Sequence, residues 1–243
     1  MTKISLLSLC LIILCLPLQS CFLGQDGTGN FDPCESGEYE YTRFYKYDNK
    51  DSLAVILVVD KVKDTISQDY YTYDSTGFLT QTIWIYKNFN PAGDTSCHLF
   101  ERINDGREIR EFPCEDTSKT FSIAYLNDEK RTQRIAYYLS DTVIFNELLF
   151  TYNEKGLLIQ VDIKRDDSVH IGVKNRYDES GTWIEGIEFD TSGMVLRKTI
   201  SKKEAPTRIM SKIFDGEGNL TKWEVNYYNS RNKLEKSISC MSK

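Results

Sequence analysis

Two histidines, His98 and His170, are the only imidazoles in this 243-residue chain. A Ser-His-acid hydrolytic set or a three-ligand zinc site needs a histidine inside a defined cluster of partners. Neither histidine sits in such a motif, and each reads as a strand or surface residue. Asp166-Asp167, and Asp48 with Asp51, are carboxylate pairs of the type that binds calcium or works as an acid/base couple. Both pairs fall among turn formers, where carboxylates are ordinarily solvated. Gly24, Gly27 and Gly29 are closely spaced, but they do not lie between a strand and a helix as a phosphate loop must. Lys164-Arg165 and Lys202-Lys203 are isolated basic pairs, and the net charge of −6 excludes a general nucleic-acid binder. The chain is therefore expected to be non-enzymatic, with no cofactor, no metal and no nucleic-acid partner.

The seven cysteines carry a different chemistry. Met1-Thr2-Lys3 precedes an apolar run, residues 4–16, that is too short to cross a bilayer core of about 30 Å. A basic start followed by such a run reads as a secretory signal peptide. Leu18-Gln19-Ser20-Cys21 then resembles the lipobox of bacterial lipoproteins, with Gln19 bulkier than the residue usual at that position. The resemblance implies removal of residues 1–20, a diacylglycerol on the Cys21 sulfur, acylation of the new amino group, and a membrane as partner. In enterobacterial lipoproteins Asp after the lipidated cysteine favours inner-membrane retention. Phe22 stands there, so the resemblance implies a cell-envelope address at the outer membrane.

Without Cys10, Cys15 and Cys21, four cysteines remain, an even number in an oxidising compartment. Three pairings are open. The favoured one joins Cys97 to Cys114 across the turn-rich Asn104-Asp105-Gly106, leaving Cys34 to tie the start of the domain to Cys240 near its end. Residues 21–36 are rich in turn formers and read as a tether. Residues 37–243 then form a single domain.

The elements that position these groups follow from an internal repeat. An aromatic residue, Asp or Asn, two polar residues, a turn residue and an apolar residue recur. Tyr73-Asp74-Ser75-Thr76-Gly77-Phe78-Leu79 shows the phrase plainly. Further copies start at Tyr47-Asp48, at Tyr152 with Gly156, at Tyr177-Asp178 with Gly181, and at Phe214-Asp215 with Gly218. Phe189-Asp190 and Tyr228-Asn229 also fit. Intervals of 26, 52, 27 and 25 residues run from Tyr47 through Tyr73, Tyr125 and Tyr152 to Tyr177. A period near 26 matches two strands and two turns. Past Tyr177 the interval shortens to 12, then 25, then 14, and no copy is recognisable near residue 99.

Between copies, apolar and polar residues alternate: Ile159, Val161 and Ile163 against Gln160, Asp162 and Lys164, and Trp223, Val225 and Tyr227 against Lys222, Glu224 and Asn226. This is the pattern of half-buried antiparallel strands. Residues 54–59 are apolar on both faces, which predicts a central strand beneath a second layer. The fold class expected is all-β: one antiparallel meander of hairpins forming a curved sheet or partly closed barrel.

The phrase resembles the YD repeat of Rhs-type bacterial proteins, whose tandem hairpins wind into a long sheet. What that implies here is the hairpin logic, since 243 residues are too few for a cargo-enclosing shell. The functional expectation is an envelope lipoprotein with a structural role or one in binding a protein or glycan. The alternative is a carrier that closes around a small apolar ligand.

Overall fold

The computed structural model describes residues 38–60, 65–86, 94–140 and 142–242. The lipobox, Cys21, the tether and Cys34 lie outside these described residues. Sixteen strands follow one another in the described chain. They are β1 (Glu38–Tyr47), β2 (Leu53–Val59), β3 (Thr65–Tyr73), β4 (Leu79–Tyr86), β5 (Asp94–Ile103), β6 (Glu108–Pro113), β7 (Ser122–Leu126) and β8 (Thr132–Ser140). Then come β9 (Val143–Tyr152), β10 (Leu158–Arg165), β11 (Ser168–Tyr177), β12 (Trp183–Phe189), β13 (Val195–Ala205), β14 (Arg208–Asp215), β15 (Leu220–Tyr228) and β16 (Leu234–Met241). Each pairs antiparallel with its sequence neighbours, and β1 pairs with β16, so the meander closes into a barrel. Closure removes both sheet edges.

The repeated phrase builds the turns. In eight hairpins the Asp or Asn accepts, through its side-chain oxygen, the backbone N–H four residues on; Asp74 accepts from Phe78 at 3.0 Å and Asn153 from Leu157 at 2.9 Å. The residue three after the Asx has positive φ: Gly77 at 82°, Gly156 at 75°, and the non-glycines Asp51 at 61°, Lys130 at 61° and Asn232 at 59°. This is a hairpin loop with a left-handed residue that bulges the following strand, and a register shift accompanies each turn.

The irregular intervals follow from which end of the barrel each copy occupies. One end, here the turn end, carries the loops that join β1 to β2, β3 to β4, and so on to β15 and β16. Successive copies at that end are one hairpin apart. Asp190 and Asp215 instead turn the chain at the opposite end, so they fall one strand after or before a turn-end copy. The copy missing near residue 99 is replaced by a 3-10 turn, Asn104–Gly106, between β5 and β6.

The aromatic residue of the phrase works between hairpins. Tyr152 donates its hydroxyl to Thr132 O at 2.7 Å, and Tyr177 to Leu158 O at 3.0 Å. Tyr47 donates to Leu234 O at 2.9 Å, repeating the same rung across the closure between first and last strands.

Following the register around the barrel divides the side chains into two walls. One carries the buried Ile56, Val58, Leu148 and Val161 together with the buried Ser67, Asp69, Thr82 and Glu111. A concave wall crowds its side chains, so this is the inner one. The opposite wall carries charged clusters. Glu147 lies 2.7 Å from both Arg134 and Lys164, and Glu185 lies 3.3 Å from Arg176 and 2.9 Å from Lys198.

Residues 54–59 correct one expectation. β2 is part of a single-layered wall, with no second layer over it among the described residues. Ile56 and Val58 point inward, while Val55 and Leu57 face outward beside the cross-strand neighbours Tyr70 and Phe44. Large neighbouring side chains, rather than another sheet, shield the outer apolar row.

Candidate functional site

The inner wall brings together residues the sequence scatters. Asp69 stands opposite Trp84 in the β3–β4 register, and Thr82 opposite His98 in the β4–β5 register. Ser96 and His98 alternate on β5, so both side chains point inward. The β5–β6 hairpin then delivers Glu111, and β7 delivers Ser122 across from it.

A polar row results. Ser96 Oγ and His98 Nε2 are 3.1 Å apart, His98 Nδ1 lies 2.9 Å from Glu111 Oε1, and Ser122 donates to Glu111 Oε2 at 2.6 Å. The Nδ1 contact is close but off the N–H direction, so it is an electrostatic approach rather than an aligned hydrogen bond. Rings flank the row. Trp84 and His98 centroids are 4.9 Å apart, His98 and Phe121 5.2 Å, and Phe121 and Tyr137 6.0 Å, the last two edge to face. Phe121 and Tyr86, at the end of the strip away from the turn end, are exposed.

Burial sets the electrostatics of this wall. Asp69 is 6% exposed, and desolvation pushes its carboxyl up to about 6, against the pull of the Arg43 guanidinium. Burial likewise raises the Tyr137 hydroxyl, with Glu111 adding to the effect. Asp69 Oδ1 and Thr82 Oγ1 are buried without a hydrogen-bond partner among the described residues. Such groups are normally satisfied by water or a ligand.

Further round, Lys222 Nζ meets the Tyr41 hydroxyl at 2.9 Å, and Arg43 stacks 4.5 Å from the same ring. Arg197 Nε donates to Glu188 Oε1 at 3.0 Å. The inner wall is thus a mixture of rings, hydroxyls and ions.

The sequence passes over His98 because its partners beyond β5 come from β4, β6 and the loop before β7, and no local motif marks them. The one legible trace is alternation: Ser96, His98 and Phe100 share a strand face. His170 lies apart, on β11. The turn carboxylates are accounted for locally. Asp48 accepts from Lys50 N and Ser52 N, and Asp51 pairs with Arg231 at 3.2 Å. Hydrogen bonds from Thr76 and the Phe78 N–H hold Asp74 below the ordinary carboxylate range, and Asp178, Asp190 and Asp215 are lowered in the same way. Among the described residues no group of three or more potential metal ligands converges.

Cys97 and Cys114 form a disulfide across the β5–β6 hairpin, with Cα atoms 5.4 Å apart. Cys240 is also disulfide-bonded; Cys34, which the sequence assigns to it, lies outside the described residues. Cys240 sits fully buried with Val225 and Ile238 on the outer wall, flanked by Met210, Trp223 and Tyr227.

No protein-family model and no curated protein sequence matches the chain. Among solved structures, a porin-like protein from Bacteroides uniformis is similar at 11% identity and a TM-score of 0.37, over 84% of this chain and 97% of that one.

Proposed function

We propose that this chain is a lipid-anchored cell-envelope protein whose barrel binds a glycan along the strip from Trp84 to Tyr137. The observation that carries the reading is the strip itself: aromatic rings beside Ser96 and the buried Glu111 and Ser122 on one wall. A sugar ring presents an apolar C–H face to aromatic side chains and hydroxyls to carboxylates and serines, so both features have a use. The unpartnered Asp69 and Thr82 oxygens beside the strip add acceptors for the same hydroxyls. The lipobox ending at Cys21 supports the anchor. The charged outer wall supports a barrel standing in water, because ions at mid-height on a lipid-facing wall cost about 2–4 kcal/mol each.

Calorimetric titration of the full chain with neutral oligosaccharides and peptidoglycan fragments tests the binding. Trp84→Ala and Glu111→Gln are expected to weaken the bound glycan about tenfold or more, with the thermal transition little moved. No binding across the panel, or equal affinity in both variants, would overturn it. Metabolic labelling with palmitate tests the anchor; label that persists in Cys21→Ala removes it.

A further inference from the structure

The two ends of the barrel differ in chemistry. The turn end is polar and laced sideways. Lys155 Nζ reaches Glu179 O at 3.0 Å, and Lys233 Nζ reaches Asp51 O at 3.1 Å, each linking neighbouring tips.

At the opposite end, three consecutive hairpins put large apolar side chains at their tips. Leu139, Val143, Ile144 and Phe145 occupy the β8–β9 tip, with Leu139 76% exposed. Val169 follows on the β10–β11 tip at 56%, and Met194, at 67%, leads Val195 and Leu196 on the β12–β13 tip. The three tips are neighbours, so they form one arc. Nothing in the hairpin geometry requires it, since the turn-end loops make the same connections with polar residues. A contiguous exposed apolar patch marks a surface that is covered in use.

The position of the chain's entry says what covers it. β1 begins at this same end, where Glu38 pairs with Met241. Glu38 stands seventeen positions after Cys21, a reach of at most about 60 Å. Because β1 begins at this end, the rim that carries the arc is the part of the barrel nearest to where the tether joins it. Arg165 stacks 4.9 Å from the Phe145 ring at the arc, suited to anionic headgroups. Asp166 and Asp167 at the same tip limit the contact to headgroup depth.

We infer that the β8–β13 arc is a membrane-docking surface on which the barrel leans against the bilayer that holds its anchor. The inference rests on the lipid-anchor reading of Cys21.

The test uses the full lipidated chain on phosphatidylethanolamine–phosphatidylglycerol vesicles doped with a diazirine lipid. Cross-links are expected to concentrate in residues 139–145, 169 and 194–196, and to fall in a Leu139→Ser, Val143→Ser, Met194→Ser variant. Cross-links spread evenly, or centred on the turn-end loops at 48–52 and 153–157, overturn the proposal. So does a variant that loses self-association while its lipid cross-links are unchanged, which makes the arc a protein interface. Should palmitate labelling show no anchor, the arc is judged by flotation of full-length Cys21→Ala. Its vesicle-bound share is then expected to fall about tenfold in the triple variant, and no flotation before substitution overturns the arc as well.

Discussion

Asp69 shows what the inner wall does to a single ionisable group. Burial lifts its folded-state value to about 6, whereas an unfolded aspartate titrates near 3.9. Between those values the folded chain holds the extra proton. Stability from this group therefore falls as pH rises through the window. Asp69→Asn removes the charged form, so its gain in stability over wild type should approach about 2–3 kcal/mol at pH 7.5 and shrink towards pH 4. Thermal unfolding at the two pH values checks this; a pH-independent difference contradicts it. The turn aspartates act in the opposite sense. Asp74, Asp178, Asp190 and Asp215 are held low by hydrogen bonds, so what they contribute is present above about pH 4 and lost below it.

The hairpin is the element in which sequence and structure agree most closely. Each copy of the phrase needs one left-handed residue, supplied by glycine in some turns and by Asp51, Lys130 or Asn232 in others. Gly193 and Gly218 have φ of 84° and 89°, and no atom lies within 4 Å of where a Cβ would stand, so substitution there meets backbone strain alone. Gly193→Ala and Gly218→Ala should each cost about 1 kcal/mol. Lys130→Gly and Asn232→Gly relieve the same strain and should hold or raise stability by up to about 1 kcal/mol. Urea midpoints compare the two sets, and destabilisation of equal size in both would show that the turn conformation is not what the repeat encodes. The hairpin was legible because its Asx side chain, its left-handed residue and its aromatic neighbour all lie within seven residues. What the aromatic does was not legible: Tyr152 and Tyr177 bond to carbonyls 20 and 19 residues back, on the preceding hairpin.

At the scale of the whole molecule, closure and the two walls govern behaviour. Glu147 and Glu185 pair with cations on the outer wall. On the proposed reading this wall stands in water, where ions carry no cost of facing hydrocarbon. Purified full-length protein should therefore give no stepwise conductance in planar bilayers, and discrete channel openings would show that the barrel spans. The sequence by itself determined the all-β class and the hairpin turns, and favoured the Cys97–Cys114 bridge among three pairings, because alternation, Asx-to-glycine spacing and a short cysteine loop are local properties. It left open a curved sheet or a partly closed barrel, and it placed residues 54–59 beneath a second layer that is absent among the described residues. Only the tertiary structure decided closure, because β1 and β16 meet through backbone ladders between residues some 200 positions apart. Tertiary structure also decided the strip and the arc. Ser96, His98, Glu111 and Phe121 meet on one wall, and Leu139, Val169 and Met194 at one rim, because the barrel's curvature gathers residues from different strands that no spacing along the chain relates.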